Sequence, residues 1–363
     1  MSLPLCLALA WALSALLFTG VTLLRLGAAR AAVPGPTLPA PAVLLLRPLD
    51  EPTAQELENF EVPILYPGPL RHVVVSPYRP RLPSHVGWLY SDPVQPNRKV
   101  GHLLYALATL HVPGEVVLAV DADVAVDGAL VTALARPVAC GAALCTAAPT
   151  PTGARQGVAL AVQALLCWTQ HGFLPLFHMS LGAKAVCGKA LGLGTPALRL
   201  LAELGQHVGE DLELSLRLYA EGAVVSLADV PARVPGGRSL EPLAAVRRFS
   251  RWMRVLGAHR PLLFPTVPWL LCPTPLLVLA ALLFGSPLLL LAVGLLLLLR
   301  TALAVRLCAA GDSRSLAARS WPLGEGLLLW AFLHALLFRE VAWRGRRFRL
   351  LRGGRIQLAV EEP

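Results

Sequence analysis

Apolar positions along this chain fall into three regimes. The first 24 residues carry no charged side chain, and an apolar run of that length can cross a bilayer as a helix. From about residue 42 to 240 the apolar runs are short, bounded by turn residues, and alternate with helical patterns. Residues 43–46, 73–75 and 116–120 read as buried parallel strands, and residues 101–110 and 211–221 as helices. Such alternation predicts an α/β domain on a central parallel sheet. Beyond Arg260 come three long apolar stretches: 262–284, 287–299 running on to 305, and 322–338.

This pattern divides the chain into an N-terminal transmembrane anchor over 1–26, a Pro-rich linker over 27–41, a globular domain over 42–239, a basic amphipathic helix over 240–260, membrane segments over 261–338 and a basic tail over 339–363. An uncleaved anchor is preferred to a signal peptide. No positive side chain precedes the apolar run, and the run is too long, although Ala29-Arg30-Ala31-Ala32 resembles a cleavage site. Three full C-terminal crossings would leave the basic tail on the wrong side of the membrane. One stretch, with the third (Glu325, His334) as the candidate, is therefore expected to be re-entrant or interfacial.

Composition supports a membrane protein. Only 15% of the 363 residues are charged and 55% are hydrophobic, against about 25% charged in soluble domains. The net charge of +10 raises the question of nucleic acid, but its distribution answers it. Residues 41–232 hold 12 basic and 16 acidic side chains, whereas Arg233–Arg260 and Arg339–Arg355 each hold seven arginines and one acid. Both clusters abut apolar runs, as expected of arginines facing anionic lipid on the cytoplasmic side. A nucleic-acid partner is therefore not expected. The seven scattered cysteines form no CxxC pair, which fits free thiols rather than a zinc site.

Three sequence features carry candidate chemistry. In Glu115-Val-Val-Leu-Ala-Val-Asp121-Ala-Asp123 an apolar strand empties into two carboxylates, with Asp127 in the same acidic turn. Ligands bind at the carboxyl ends of such strands, and Mg²⁺ typically bridges one or two carboxylates to substrate phosphates. A polar turn capping a strand is the bland alternative. Next, Gly209-Glu210-Asp211 opens a helix whose Leu212, Leu216 and Tyr219 share one face. Acids there suit the helix dipole whatever the function; the functional reading makes Asp211 a general base. Third, Arg247-Arg248-Phe249-Ser250-Arg251-Trp252 lies on the basic amphipathic helix. It reads either as a plain interfacial anchor or as a site with Trp252 under an acceptor and Arg248 or Arg251 near a phosphate.

Asp-x-Asp, then Glu-Asp before a helix, then Arg-x-x-Arg-Trp, followed by membrane helices, resembles the inverting, family-2-type membrane glycosyltransferases. Within them the chain looks most like the ceramide glucosyltransferase family. The likeness begins at the anchor and Leu44-Leu-Leu-Arg-Pro-Leu49, runs through Asn97-Arg-Lys99-Val, and ends in the tail from Trp343 to Gly354. It implies an α/β, single Rossmann-like glycosyltransferase-A domain with an N-terminal transmembrane anchor and C-terminal membrane helices. It also implies Asp121 and Asp123 as carboxylates for Mg²⁺ or Mn²⁺ and a nucleotide diphosphate, and Asp211 as the base. Arg248, Arg251 and Trp252 would bind diphosphate and acceptor, with Lys99 near the nucleotide and His171 near the acceptor.

The implied reaction moves a hexose, glucose first among candidates, from a UDP-sugar to a lipid hydroxyl such as that of ceramide, with inversion. It would take place on the cytoplasmic face of a bacterial inner membrane, or of a Golgi-type membrane in a eukaryote. Another lipid acceptor (a hopanoid or diacylglycerol) or a non-catalytic membrane scaffold are the alternatives. One departure stands out. The family carries an acid after its second strand, but here the sequence reads Val73-Val-Val-Ser76-Pro-Tyr-Arg, and Asp92 lies far along the loop.

Overall fold

The computed structural model describes residues 2–28, 39–154, 157–180, 182–236, 242–308, 312–338, 340–343 and 346–358. Most of the Pro-rich linker and the end of the basic tail lie outside these residues. In chain order the strands are β1 (Val43–Pro48), β2 (Leu70–Ser76), β3 (Gly87–Tyr90), β4 (Val116–Val120), β5 (Leu144–Thr146), β6 (Pro149–Thr152), β7 (Ala190–Leu193), β8 (Val225–Leu227), β9 (Ala232–Pro235), β10 (Glu340–Trp343), β11 (Arg346–Leu350) and β12 (Ile356–Leu358). The helices are α1 (Leu3–Ala28), α2 (Ala54–Glu61), α3 (Arg98–Leu110), α4 (Gly128–Ala139), α5 (Gly157–Leu166), α6 (Leu174–Ser180), α7 (Thr195–Leu201), α8 (Glu210–Ala220), α9 (Pro242–His259), α10 (Thr274–Phe284), α11 (Pro287–Leu307) and α12 (Arg314–Leu337).

Seven strands form the central sheet, in the order β3-β2-β1-β4-β7-β5-β8. β1 pairs in parallel with β2 and β4, and β7 runs antiparallel between β4 and β5. The sheet is thus parallel-rich, as the alternating apolar runs predict. β1 and β4 are covered on both faces, which is why they read as unbroken apolar runs. One core layer packs α3, α7 and α8 on the sheet through Leu103, Leu201 and Leu218; the other packs α4 through Leu130 and Leu134.

Side-chain caps fix four of the described helix starts, two of them beside the carboxyl ends of the sheet strands. Asn97 Oδ1 accepts the Val100 N–H at 3.2 Å and begins α3. Asp127 Oδ1 accepts the Leu130 N–H at 2.8 Å and begins α4. Asp127, the third acid of the turn after β4, is therefore a cap. The face expected for α8 is also corrected: its buried residues are Leu214, Ser215 and Leu218, while Tyr219 is exposed.

Among the described residues two helices, α1 and α11, are long and apolar enough to cross a membrane. They pack on each other through Ala8, Ala12 and Ala15 against Leu289, Val293 and Leu296. The first of the three C-terminal apolar stretches is interrupted. Pro265, Pro268 and Pro273 break residues 262–273 into turns and a π-helix at Val267–Leu271. The helix after that break, α10, has 11 residues, about 16 Å of helix and half a bilayer core. The third stretch instead forms part of the 24-residue α12, with Pro322 inside it.

One ion pair ties this apolar region together. Arg300 of α11 and Glu325 of α12 are buried 3.4 Å apart. The guanidinium also donates to the Leu270 carbonyl at 2.5 Å and lies 4.5 Å over the Trp168 ring. Glu325 accepts the Thr274 N–H at the start of α10. Removing one partner leaves the other charged and stranded, at a cost of about 3–5 kcal/mol. Arg300→Ala should therefore lower the melting temperature in detergent sharply. The paired Arg300→Met, Glu325→Met variant should recover most of the loss, and equal melting of single and double variants would contradict this role.

Candidate active site

The carboxyl ends of β1 and β4 meet at a turn that an arginine holds in place. Arg47, fully buried at the end of β1, donates through Nη2 to the carbonyls of Asp121 (3.0 Å), Ala122 (3.1 Å) and Val124 (2.6 Å). Burial lowers its pKa to about 10, so it remains charged at neutral pH. With its backbone gripped in this way, the turn after β4 presents the Asp121 and Asp123 side chains to a cavity of about 460 Å³. Arg47 appears in the sequence only as part of Leu-Leu-Leu-Arg-Pro-Leu. Its position after a run of buried strand residues is the available signal for this positioning role.

Lys99, Asp121, Asp123, Asp211, Arg248, Arg251 and Trp252 all line that one cavity. They come from α3, the turn after β4, α8 and α9, segments spread over more than 150 residues of chain. Lys99 Nζ lies 2.8 Å from Asp121 Oδ1 and 3.2 Å from Glu210 Oε1. Lys189, just before β7, stands 3.6 Å from Asp121 Oδ2 and is in direct contact with Asp123 Oδ2. Burial disfavours charge on Asp121, but the Lys99 and Lys189 ammonium groups outweigh it and hold the carboxyl below its usual range. On Lys99, likewise, Asp121 and Glu210 overcome burial and raise the pKa.

Lys189 and Glu210 join the site without having been expected there as functional residues. The signal for Lys189 is rarity: the chain has three lysines among its 32 basic residues, and two of them meet at these carboxylates.

Asp211 behaves differently from its neighbours. Its Oδ2 accepts the Gly188 N–H at 2.7 Å. Burial, reinforced by the adjacent Glu210 carboxylate, pushes its pKa up to about 6. Lys99 offsets only part of that rise. Asp121, gripped by two ammonium groups, stays ionised, whereas Asp211 can take up a proton near neutrality. Such separation of two carboxylates in one site is what general-base chemistry requires.

The same cavity adjoins a second, apolar one. About 230 Å³ in volume, it is lined by Leu174, Phe177, Leu212, Phe249, Met253 and Leu263 among others, and Trp252 and Gln170 border both cavities. Trp252 packs edge-on against Phe249 at 5.2 Å, and the Arg248 guanidinium lies 5.2 Å from the Trp252 ring centre. Arg251 is partly buried, and burial together with Arg248 lowers its pKa. Helix α9 thus presents cations to the polar cavity and Trp252 to the junction.

Residue 171 is the exception among the expected site residues. His171 lies in a π-helix, Cys167–Phe173, where its Nδ1 pairs with Thr150 Oγ1 at 3.1 Å and burial lowers its pKa. It lines neither cavity; Gln170, one position earlier, lines both. The wider π turn changes which residue faces the site, and helical spacing in the sequence does not reveal it.

Asp92 moves in the opposite direction, toward the site. β3 runs parallel to β2 at the sheet edge, and the Ser91 N–H bonds the Ser76 carbonyl. A residue far along the loop in sequence therefore returns to the carboxyl end of β2. There Arg98 joins Asp92 (2.7 Å) to Asp50 (2.8 Å). Asp50, Tyr78, Asp92 and Arg98 line a broad cleft of about 1110 Å³, which shares Pro48 and Glu56 with the polar cavity.

The carboxylates can be tested against a divalent cation. Asp123 Oδ1 is buried with no hydrogen-bond partner among the described residues, and Asp121 faces the same space. Among the described residues no group of three or more His, Cys, Asp or Glu stands ready to hold a metal. The protein would thus supply two carboxylates and leave the remaining positions to phosphate oxygens, a donor set that fits Mg²⁺ or Mn²⁺.

Comparison with known proteins gives one family assignment. Residues 85–356 match the profile of glycosyl transferase family 21. No curated protein sequence matches the chain. Among solved structures, a mannosyltransferase from Pyrobaculum calidifontis in complex with GDP-Man and Mn2+ aligns over 91% of this chain and 99% of its own, at 16% identity and a TM-score of 0.43.

Proposed function

The chain belongs to glycosyl transferase family 21, a glycosyltransferase acting on a lipid-type acceptor, and from that premise we propose that it transfers a hexose, glucose first, from a UDP-sugar to the hydroxyl of a ceramide-like lipid with inversion. The observation that carries the reading is the junction at Trp252, where a cavity lined by acids and bases meets an apolar one. A lipid acceptor needs that junction: its hydroxyl must reach the charged cavity while its chain stays out of water.

In the proposed mechanism the acceptor hydroxyl sits beside Asp211, which takes its proton as the oxygen attacks the anomeric carbon. The donor diphosphate lies against Lys99, Arg248 and Arg251. These cations are in place before reaction and face the charge that develops on the leaving group, which is where preorganised electrostatics lowers a barrier. Asp121 and Asp123 would hold Mg²⁺ or Mn²⁺, which supplies further neutralisation of that charge. Attack from the face opposite the leaving group inverts the configuration. α9 lies near the membrane interface, and the catalytic domain faces the cytoplasm.

Purified protein in lipid nanodiscs should be offered UDP-glucose, UDP-galactose and GDP-mannose, each against ceramide, diacylglycerol and a hopanoid. The expected product is β-glucosylceramide from UDP-glucose. Transfer to a hopanoid or diacylglycerol alone would reassign the acceptor, and no transfer from any pair would favour a non-catalytic scaffold. Trp252→Ala should raise the acceptor KM about 10-fold, equivalent to about 1.4 kcal/mol of binding, with little change in donor KM. The opposite split would remove Trp252 from the acceptor side.

A further inference from the structure

We propose that the C-terminal segment around Gly354 is a clasp that sets the position of Asp211, with Gly354 a positioning residue for the reaction. The proposal rests on the reading of Asp211 as the base. The loop that leads into α8 is held from two sides. On one side, the Val208 N–H donates to the Gly354 carbonyl at 2.9 Å, and the Ile356 N–H donates to the Gln206 carbonyl at 3.0 Å. Between them His207 and Arg355 form an antiparallel bridge. The tail is thus paired, strand-like, with the three residues that precede Gly209-Glu210-Asp211.

The carbonyl of the same residue, Val208, is held by α9. His259, with its side chain wholly buried, has Nε2 2.8 Å from the Val208 carbonyl, and its Nδ1 faces Glu213 of α8 at 3.4 Å. Val208 is therefore bonded on one side to the tail and on the other to the helix that carries Arg248, Arg251 and Trp252. Val208, Val255, Phe348 and Ile356 bury one another around this junction. Buried backbone groups need partners, and these partners place Asp211 relative to the acceptor helix.

Space at Gly354 makes the contact specific. A Cβ there would stand 1.8 Å from His259 Nε2 and 2.3 Å from Cε1. Gly353 has the same left-handed backbone, φ 74° at both residues, yet a Cβ on it would meet nothing within 4 Å. Alanine at either position carries similar backbone strain, but only at 354 does it push His259 off Val208. The pair therefore separates the clasp from local strain.

Gly354→Ala should lower kcat on the order of 10–100-fold, the scale expected of a displacement of about 1 Å in a reacting group. Donor and acceptor KM should stay within about 2-fold, and the acid limb of the pH–kcat profile should move. Gly353→Ala should stay within about 3-fold in kcat with the limb in place. If the two variants behave alike, or if Gly354→Ala loses activity only in proportion to its folded fraction, the clasp is refuted. Should Gly354→Ala not fold, Ile356→Ala carries the test: it loosens the packing on Val208 without a clash and should give a smaller kcat loss of about 3–10-fold with the same movement of the acid limb. An Ile356→Ala enzyme with normal kcat and an unmoved limb would overturn the proposal. Asp211→Asn run alongside keeps the two claims apart. Full activity there removes the base reading itself, whereas an inactive Asp211→Asn with normal clasp variants removes only the clasp.

Discussion

Asp211→Asn should lower kcat by about 10²–10⁴-fold, the range over which a positioned base contributes, while donor binding changes little. Asparagine keeps an acceptor for the Gly188 N–H, gives up the second oxygen that accepts the Leu212 N–H, and loses the ability to take a proton. In the unaltered enzyme the base works when deprotonated. With its pKa pushed up to about 6 by burial and Glu210, activity should fall as pH drops through about 6 and level off above it. The residual activity of Asp211→Asn should show no such limb.

Stability should move the other way. A carboxyl whose folded pKa lies above its unfolded value binds its proton more tightly when folded. Its contribution is present at low pH and lost as pH rises through the folded value. Above about pH 6 the ionised Asp211 is a burden on the fold, so Asp211→Asn should melt at or above the temperature of the parent. A variant that is inactive because it is unfolded would melt lower, and that result would void the kinetic reading.

The second large effect is expected at Asp123. One of its oxygens contacts Lys189, and the other is buried with no partner among the described residues. If that oxygen serves a divalent cation, Asp123→Ala should reduce kcat/KM by about 10²–10³-fold, on the scale of losing one preorganised group facing the leaving charge. EDTA should silence the unaltered enzyme, and added Mn²⁺ or Mg²⁺ should restore it. The weak activity left in Asp123→Ala should respond much less to either treatment. Turnover that ignores EDTA in the parent would remove the metal from the mechanism and leave Lys99, Lys189 and the α9 arginines to face the diphosphate.

How much can be read in the sequence depends on how local each feature is. The buried strands at β1, β2 and β4 announce themselves as apolar runs, and Asp121, Asp123 and Asp211 sit at element ends where α/β sheets place ligands. Arg248, Arg251 and Trp252 are legible because the apolar spacing of α9 leaves its arginines on the other faces. Long-range convergence is not legible. Nothing local ties Lys189 to Asp123, 66 residues away, or the Gly354 carbonyl to Val208. His171 departs from its expected place because a π-helix alters which side chains share a face, and Tyr219 because α8 buries a neighbouring stripe. Asp92 is remote in sequence and near in space because the return of β3 alongside β2 has no signature in the loop itself.

Sugar transfer to a membrane lipid at this site, with Asp211 as the base, leaves a chemical product in the cell. Mass spectrometry of total lipids from cells expressing the parent chain, set against cells expressing Asp211→Asn at equal level, tests it most directly. A new hexosyl-lipid, a hexosylceramide where ceramide is available, is expected in the first sample, with its near absence in the second. Identical lipid profiles in the two samples, with both proteins folded and membrane-bound, would contradict it.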